Sequence, residues 1–336
     1  LEAHIAQRPH DLGLRLACID ALHRDGRLEK ALRVAEQALA ITPDNQALLT
    51  AHGVVLDELD RPAEGLVSLR RVVDLANSNA ASLRNMLSTV IRAGHAEEAL
   101  HITDALLARQ PDEQFLIAAR ALALRVLRDR AYQTLYDYDR FVRRYDIPAP
   151  RNFFTVENFN AAFANTLRRQ HRIAAHPLDQ TLHKGTQTPR TLLGLDDPTI
   201  ASFKGSMDLA VRDYISRLKA EDADPLSRRK RERYRFAGLW STRLEDEGAQ
   251  SNQVHDNGWI TGIYCVANAP AERPRDPHAG WIKLGEPNRP VDRCLAERVI
   301  EPKVGQLVLF PSYIWHGVIA FEGSERLTAT FDIVPA

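Results

Sequence analysis

The chain has 336 residues, 44% hydrophobic and 26% charged, a composition that excludes disordered, collagen-like and disulfide-stapled proteins and leaves room for two domains. Lys plus Arg and Asp plus Glu each total 44, for a formal net charge of zero, so no summed field selects nucleic acid or an anionic membrane as partner. Cys18, Cys265 and Cys294 are too few and too widely spaced for a disulfide framework or a Cys-based zinc site. No apolar run reaches the roughly 20 residues of a membrane span, and we expect a cytoplasmic protein. The first residue is Leu rather than Met, so the natural chain is expected to extend further at its N-terminus.

The first half repeats with a period of 34 residues. Pro9, Pro43 and Pro111 share one phase, with Asn77 at the remaining step. Ala17, Ala51 and Ala119 share a second, with Asn85 the exception. Ala31, Gly65 and Ala99 share a third, where small side chains let two helices approach. Gly26 and Gly94 fall in inter-helix turns. The pattern resembles the tetratricopeptide repeat, a helix-turn-helix unit of this length. Four units fit, 9–42, 43–76, 77–110 and a weaker 111–144, in which Gln133 and Thr134 break the pattern. Ile5 stands one period before Leu39, so residues 1–8 read as the second helix of an earlier unit. Such a solenoid implies a concave groove for a peptide or partner protein, or a rigid assembly arm. His52, Arg84, Asn85 and Arg120 sit in first-helix positions that line either the groove or a solvated face.

The repeat pattern stops near 146–150, and Thr155 with Asn158 reads as the cap of a following helix. Residues 176–188 are polar and rich in turn formers, too irregular for a long element. After Pro198, apolar residues at Ile200, Phe203, Met207, Leu209, Val211, Tyr214 and Leu218 predict a helix of about six turns. The basic cluster 228–235 reads as a solvated linker, since no aromatic residues interleave it as in a nucleic-acid surface. From Tyr234 onward, seven or eight short runs of branched and aromatic residues, separated by Gly, Pro, Asn and Asp, predict a sandwich or jelly roll. The fold class is therefore α+β multidomain. An α-helical tetratricopeptide solenoid occupies 1–144, a helical connector 145–230, and a double-stranded β-helix (jelly roll) 231–336.

Chemistry-bearing residues cluster on the β segment. His255 opens one strand and His316 follows the Phe310–Trp315 turn. Arg326 comes ten residues later, with Thr328 on the same strand face. An inward Arg with a hydroxyl two residues on suits a carboxylate. His176 and His278 lie in loops without matched partners and read as non-ligands. Trp259, Trp281 and Trp315 read as core or rim packing, with Trp315 placed to shape a pocket beside His316.

At these residues the chain resembles the 2-oxoglutarate and iron(II) dependent oxygenases, in the bacterial group where tetratricopeptide repeats precede the catalytic jelly roll. The likeness runs over about 176–336 and rests on HPLDQTLHKGTQT, GWITGIYCV, AGWIKLGEP, GQLVLFPSYIWHG and ERLTATFDIVP. It implies Fe(II) as cofactor, 2-oxoglutarate and O2 as cosubstrates, His316 as a distal iron ligand, Arg326 as the anchor of the remote carboxylate and Thr328 as its helper. The first ligand pair departs from the group, which tends to show His-x-His followed by Pro. His255 matches the second histidine, Gln253 stands for the first and Asp256 for the proline.

Three arrangements stay open: Gln253, His255 and His316 as a weakened triad, His255 and His316 with Asp256 or water in the third place, or a site that no longer binds metal. The resemblance implies hydroxylation of a peptide or protein recruited by the repeats. The alternatives are oxidation of a small or carrier-bound metabolite and a catalytically silent binding scaffold. Neither nucleic acid nor membrane is expected as a partner.

Overall fold

The computed structural model describes residues 8, 10–75, 80–171, 182–219 and 224–336. Pro9, Ile5, Asn77 and His176 lie outside the described residues. No described helix is long and apolar enough to cross a membrane. The chain forms two compact units, Leu1–Thr103 and Asp104–Ala336.

The first unit consists of paired helices: α1 (Leu12–Arg24), α2 (Leu28–Ile41), α3 (Gln46–Glu58), α4 (Pro62–Leu75), α5 (Ala80–Arg92) and α6 (Ala96–Leu107), the last running across the boundary. Its local signals keep the 34-residue period. Asp11 and Asn45 cap α1 and α3 by accepting from the backbone N–H three residues on. Positive φ recurs at Gly26, Asp60 and Gly94, where each first helix turns into its second. Ala31 and Ala99 are fully buried, and a Cβ on Gly65 would lie 2.6 Å from the Gly53 carbonyl oxygen, so α3 and α4 meet backbone to backbone there. Cys18, Ile19, Leu22, Leu32, Ala35, Leu48 and Val55 fill the core between the first helices. A buried Arg92–Asp57 ion pair at 2.7 Å ties α5 to α3. His52 does not face a free groove: it is half-buried, and its Nδ1 meets the Ser68 hydroxyl of α4 at 2.8 Å.

The second unit begins earlier than the repeat pattern suggests. The fourth helical pair, expected at 111–144, belongs to it rather than to the solenoid. Helix α7 (Gln114–Val126) is capped by Glu113, again in the 34-residue phase, but is buried on nearly every face from Gln114 to Leu124. Arg120 pairs with Asp104 at 2.5 Å. Arg128 keeps the positive φ of the inter-helix turn, yet the expected second helix breaks into α8 (Ala131–Leu135) and α9 (Tyr138–Phe141). It breaks because it packs on the sheet: the Tyr136 hydroxyl donates to the Tyr313 carbonyl, and the Arg125 guanidinium to those of Gly285 and Leu295. The weak fourth repeat is thus a wall of the β unit.

Two strands fall where none was expected. β1 (Arg143–Asp146) lies at the start of the supposed connector, and β2 (Leu182–Gln187) lies in the stretch read as irregular. Between them runs α10 (Val156–Gln170), capped by Thr155 accepting from the Asn158 N–H. Then α11 (Pro198–Arg217) starts at the Asp197 cap with Pro in its first turn. Ile200, Phe203, Met207, Val211 and Tyr214 face inward on α11, whereas Leu209 falls off that stripe and is exposed.

The seven sequence-predicted strands follow as β3 (Tyr234–Gln253), β4 (Ile260–Pro270), β5 (Ile282–Leu284), β6 (Arg298–Ile300), β7 (Gln306–Pro311), β8 (His316–Val318) and β9 (Gly323–Pro335). Together they form one curled antiparallel sheet in the order β1-β7-β4-β9-β3-β8-β5-β6, with β2 on β3, the jelly-roll frame. One face of β9, through Phe331, packs with Phe203 of α11 and Phe236 of β3. The opposite face of β9 carries the site.

Candidate active site

Side chains alternate along a strand, so Arg326, Thr328, Thr330 and Asp332 share the face of β9 turned away from α11. All four are buried. Register places Thr328 opposite Thr242 on β3 and Cys265 on β4, and Asp332 opposite Thr261 on β4. Gln253, last residue of β3, stands opposite His316, first residue of β8. His255 lies two residues beyond Gln253, its backbone N–H donating to the Ser312 carbonyl at 3.0 Å. Two strand ends and one loop thus bring Gln253, His255 and His316 together.

The imidazoles of His255 and His316 lie edge to face with centroids 4.7 Å apart. Phe310 and Trp240 flank them, at 4.9 Å from His316 and 5.1 Å from His255. Each ring is fixed through Nδ1: His316 donates to the Ile314 carbonyl at 2.9 Å, His255 to Asp332 Oδ1 at 2.8 Å. In both rings the lone pair is therefore on Nε2, the form that ligates metals. Burial, reinforced by neighbouring His255, pushes the His316 pKa down to about 3, so this ring is neutral at ordinary pH. Gln253 Nε2 stands 3.3 Å from His255 Nε2. A half-turn of the amide exchanges N–H for Oε1 at the same reach.

Asp332 is the residue that the sequence did not point to. Its Oδ1 accepts from His255 and from the Thr261 hydroxyl at 2.7 Å, and Thr261 also meets the Ser312 hydroxyl at 2.9 Å. Gly258 makes room for this network, since a Cβ there would run into the Ser312 hydroxyl and approach Asp332. An acidic residue six positions after Arg326, on the same strand phase, was the only sequence signal. Asp256 does not take part in a shared cluster: among the described residues, no set of three or more His, Cys, Asp and Glu side chains is placed to hold one metal ion.

At the far end of the same face, Arg326 is 1% exposed, and its Nε and Nη2 have no hydrogen-bond partner among the described residues. Burial lowers its pKa. The nearby Cys265 thiol, pushed up to about 11 by its own burial, stays neutral and offers no counter-charge. The Thr242 hydroxyl, across from Thr328, is also buried without a partner. Buried donors of this kind cost free energy unless a ligand satisfies them, and a guanidinium fork with hydroxyls beside it fits a carboxylate. Trp259 is core, its Nε1 donating to the Leu226 carbonyl at 2.9 Å. Trp315 is buried against Phe115 of α7. His278 stacks on Trp281, centroids 4.6 Å apart.

A curled antiparallel sheet thus carries a fixed imidazole pair beside its strand ends and a buried guanidinium on β9. Residues 238–332 match the family described as "Putative 2OG-Fe(II) oxygenase". That segment is a 2-oxoglutarate- and iron(II)-dependent oxygenase domain, and Fe(II) and 2-oxoglutarate are its cofactor and cosubstrate. No curated protein matches the chain.

Among solved structures, the chain is similar to a viral collagen prolyl hydroxylase from Paramecium Bursaria Chlorella virus-1 in its 2OG complex. The identity is 11% and the TM-score 0.39, over 58% of this chain and 97% of that one. A Pseudomonas putida prolyl-4-hydroxylase gives 15% and 0.39 over 60% and 97%. A tetratricopeptide repeat protein from Parabacteroides merdae gives 15% and 0.36 over 40% and 52%. Likeness this distant carries no argument about activity.

Proposed function

We propose that the second unit holds iron(II) on the Nε2 atoms of His255 and His316, with Gln253 Oε1 as third donor, and seats the remote carboxylate of 2-oxoglutarate on Arg326 and Thr328. The observation that carries this reading is Arg326, a fully buried guanidinium with two unsatisfied donors on the strand face that also anchors His255 through Asp332. A purely structural role would leave that charge paired with an acid, and among the described residues no acid pairs with it.

When bound, iron(II) with O2 oxidatively decarboxylates 2-oxoglutarate to succinate and CO2 and oxidises a C–H bond of the substrate. The chain's own residues prepare the setting. Asp332 and the Ile314 carbonyl each hold an imidazole Nδ1–H, so both rings present Nε2 without rearrangement. Trp240 and Phe310 wall the histidine pair with apolar surface that keeps water out. Arg326, with the hydroxyls of Thr328 and Thr242 near it, fixes the cosubstrate by its far end. Gln253 is a weaker donor than the imidazole or carboxylate usual at such sites.

We further propose that the substrate is a peptide or protein delivered by the helical repeats of the first unit, whose stacked pairs are of the kind that present a binding groove. Anaerobic titration of the protein with iron(II), with and without 2-oxoglutarate, tests the site. A visible metal-to-ligand charge-transfer band that needs both components is expected. Its absence in the wild type overturns the proposed metal and cosubstrate seats.

A further inference from the structure

The basic cluster 228–235 is not a solvated linker. Arg228, Arg229, Arg231 and Arg235 line an open surface cleft of about 610 Å3, together with Pro111, Asp112, Val334 and Pro335. This cavity lies on the second unit, and none of the proposed site residues lines it. Lining elements are brought together by two features of the fold. Arg235 near the start of β3 faces Val334 near the end of β9 in register, and the 3-10 turn Ser227–Arg229 points two guanidiniums at the start of the α7 segment.

The charges in the cavity are unequal. Among the described residues Asp112 is its single carboxylate, and it is already engaged: Arg228 reaches it at 3.2 Å and Arg229 at 3.8 Å. Arg229 is mostly buried, and its Nη1 leans on the Gly258 carbonyl at 3.4 Å. Burial lowers the Arg229 pKa despite the attraction of Asp112, and the adjacent Arg228 lowers it further. Arg231 donates to the Lys230 carbonyl, and among the described residues neither it nor Arg235 has a carboxylate partner. Among the described residues, four guanidiniums thus face one acid, in a chain whose total charge is zero.

We propose that this cleft is a binding site for a small phosphate-bearing anion carrying several charges, of the di- or triphosphate class. Guanidinium forks match phosphate oxygens bidentately, and the volume falls in the range of small-molecule sites, roughly 300–1,000 Å3. An extended acidic peptide advances about 3.3 Å per residue and alternates its side chains, so it brings few carboxylates into so small a space. A phosphoanhydride concentrates its charges there. The proline and valine rim supplies apolar surface for the rest of such a molecule.

The test is calorimetric titration of the whole protein with sodium triphosphate at about 0.1 M salt, with sodium sulfate as control. Saturable triphosphate binding is expected, with sulfate at least tenfold weaker. The double variant R231Q/R235Q should weaken triphosphate at least tenfold, while its melting temperature and its 2-oxoglutarate consumption stay at wild-type values, because both side chains are exposed and remote from the histidine pair. No saturable binding, equal affinity in the double variant, or an acidic peptide binding ahead of triphosphate would each overturn the proposal. None of these outcomes bears on the metal site.

Discussion

Asp332→Asn isolates the one charge that acts on the histidine pair from behind. Asn keeps the shape of Asp332 and an Oδ1 that still accepts from His255 Nδ1–H at 2.8 Å and from the Thr261 hydroxyl at 2.7 Å. Only the negative charge is removed. Charge-assisted hydrogen bonds are about twice as strong as neutral ones, and loss of a carboxylate behind a ligating imidazole typically costs about 10–100-fold in metal affinity, or about 1.4–2.7 kcal/mol. We expect that loss in an anaerobic iron(II) or cobalt(II) titration, with the melting temperature nearly unchanged. Asp332→Ala should lose the same affinity and also destabilise the fold by about 1–3 kcal/mol, because the buried Thr261 and His255 donors then lose their carboxylate acceptor. Wild-type metal affinity in Asp332→Asn, measured beside a wild type that does bind metal, refutes the argument that Asp332 works through its charge.

The other predictions rest on separate parts of the structure. Arg326→Lys keeps the charge but loses the fork, so 2-oxoglutarate affinity should fall about 10–100-fold, and an unchanged Michaelis constant for the cosubstrate would place it elsewhere. Gln253→His should tighten iron(II), read as a lower iron requirement, whereas Asp256→Ala should leave it unaltered; the reverse result would move the third donor to Asp256. Removing residues 1–103 should leave a folded unit that still consumes 2-oxoglutarate without coupled substrate oxidation, while removing 1–144 should unfold it, since that cut takes the Tyr136 and Arg125 contacts with the sheet. Burial lowers the His171 pKa to about 4 from 6.5, so the unfolded chain binds more protons between those values. Stability should therefore rise with pH across that window, and His171→Gln should flatten the rise in a pH series of urea melts.

What the sequence made legible follows from where each signal is local. Repeat length, helix pairing and the seven later strands could be read because Gly, Pro and apolar spacing act within a few residues. The caps at Asp11, Asn45 and Glu113 and the turns at Asp60 and Arg128 carry the same period. They were harder to see, because Asp, Asn and Glu share a capping role without sharing an identity, and Asp60 and Arg128 adopt a φ expected of glycine. The fourth repeat misled because its sequence keeps the helical period while its surroundings do not: α7 is buried on nearly every face and meets Gly285, Leu295 and Trp315, more than a hundred residues further on. β1 and β2 were invisible for a related reason. Arg143–Asp146 and Leu182–Gln187 have little strand propensity of their own and become strands by pairing with β7 and β3. In the site, His255, His316 and Arg326 stood out by residue type and spacing. Asp332 did not, since only the antiparallel register that sets it across from Thr261 brings it to His255.

With Gln253 as the proposed third donor, the charge inventory of the candidate site accounts for an amide where a stronger donor is usual. Arg326 is a buried cation with no acid beside it, and Asp332 is a buried anion whose charge is directed at His255. The neutral His316 imidazole and the neutral amide add nothing to either side. A dication at the histidine pair and a dicarboxylate spanning to Arg326 then bring charges that cancel with those of the protein, whereas the dication alone would leave the pocket strongly positive at both ends. In a water-poor cavity such an imbalance is costly. Metal and 2-oxoglutarate should therefore bind with positive coupling, each raising the affinity of the other by the same factor, as linkage requires. A carboxylate in place of Gln253 would hold the metal by itself and weaken that dependence. On this argument the amide makes metal retention conditional on cosubstrate, and the charge it lacks arrives with 2-oxoglutarate.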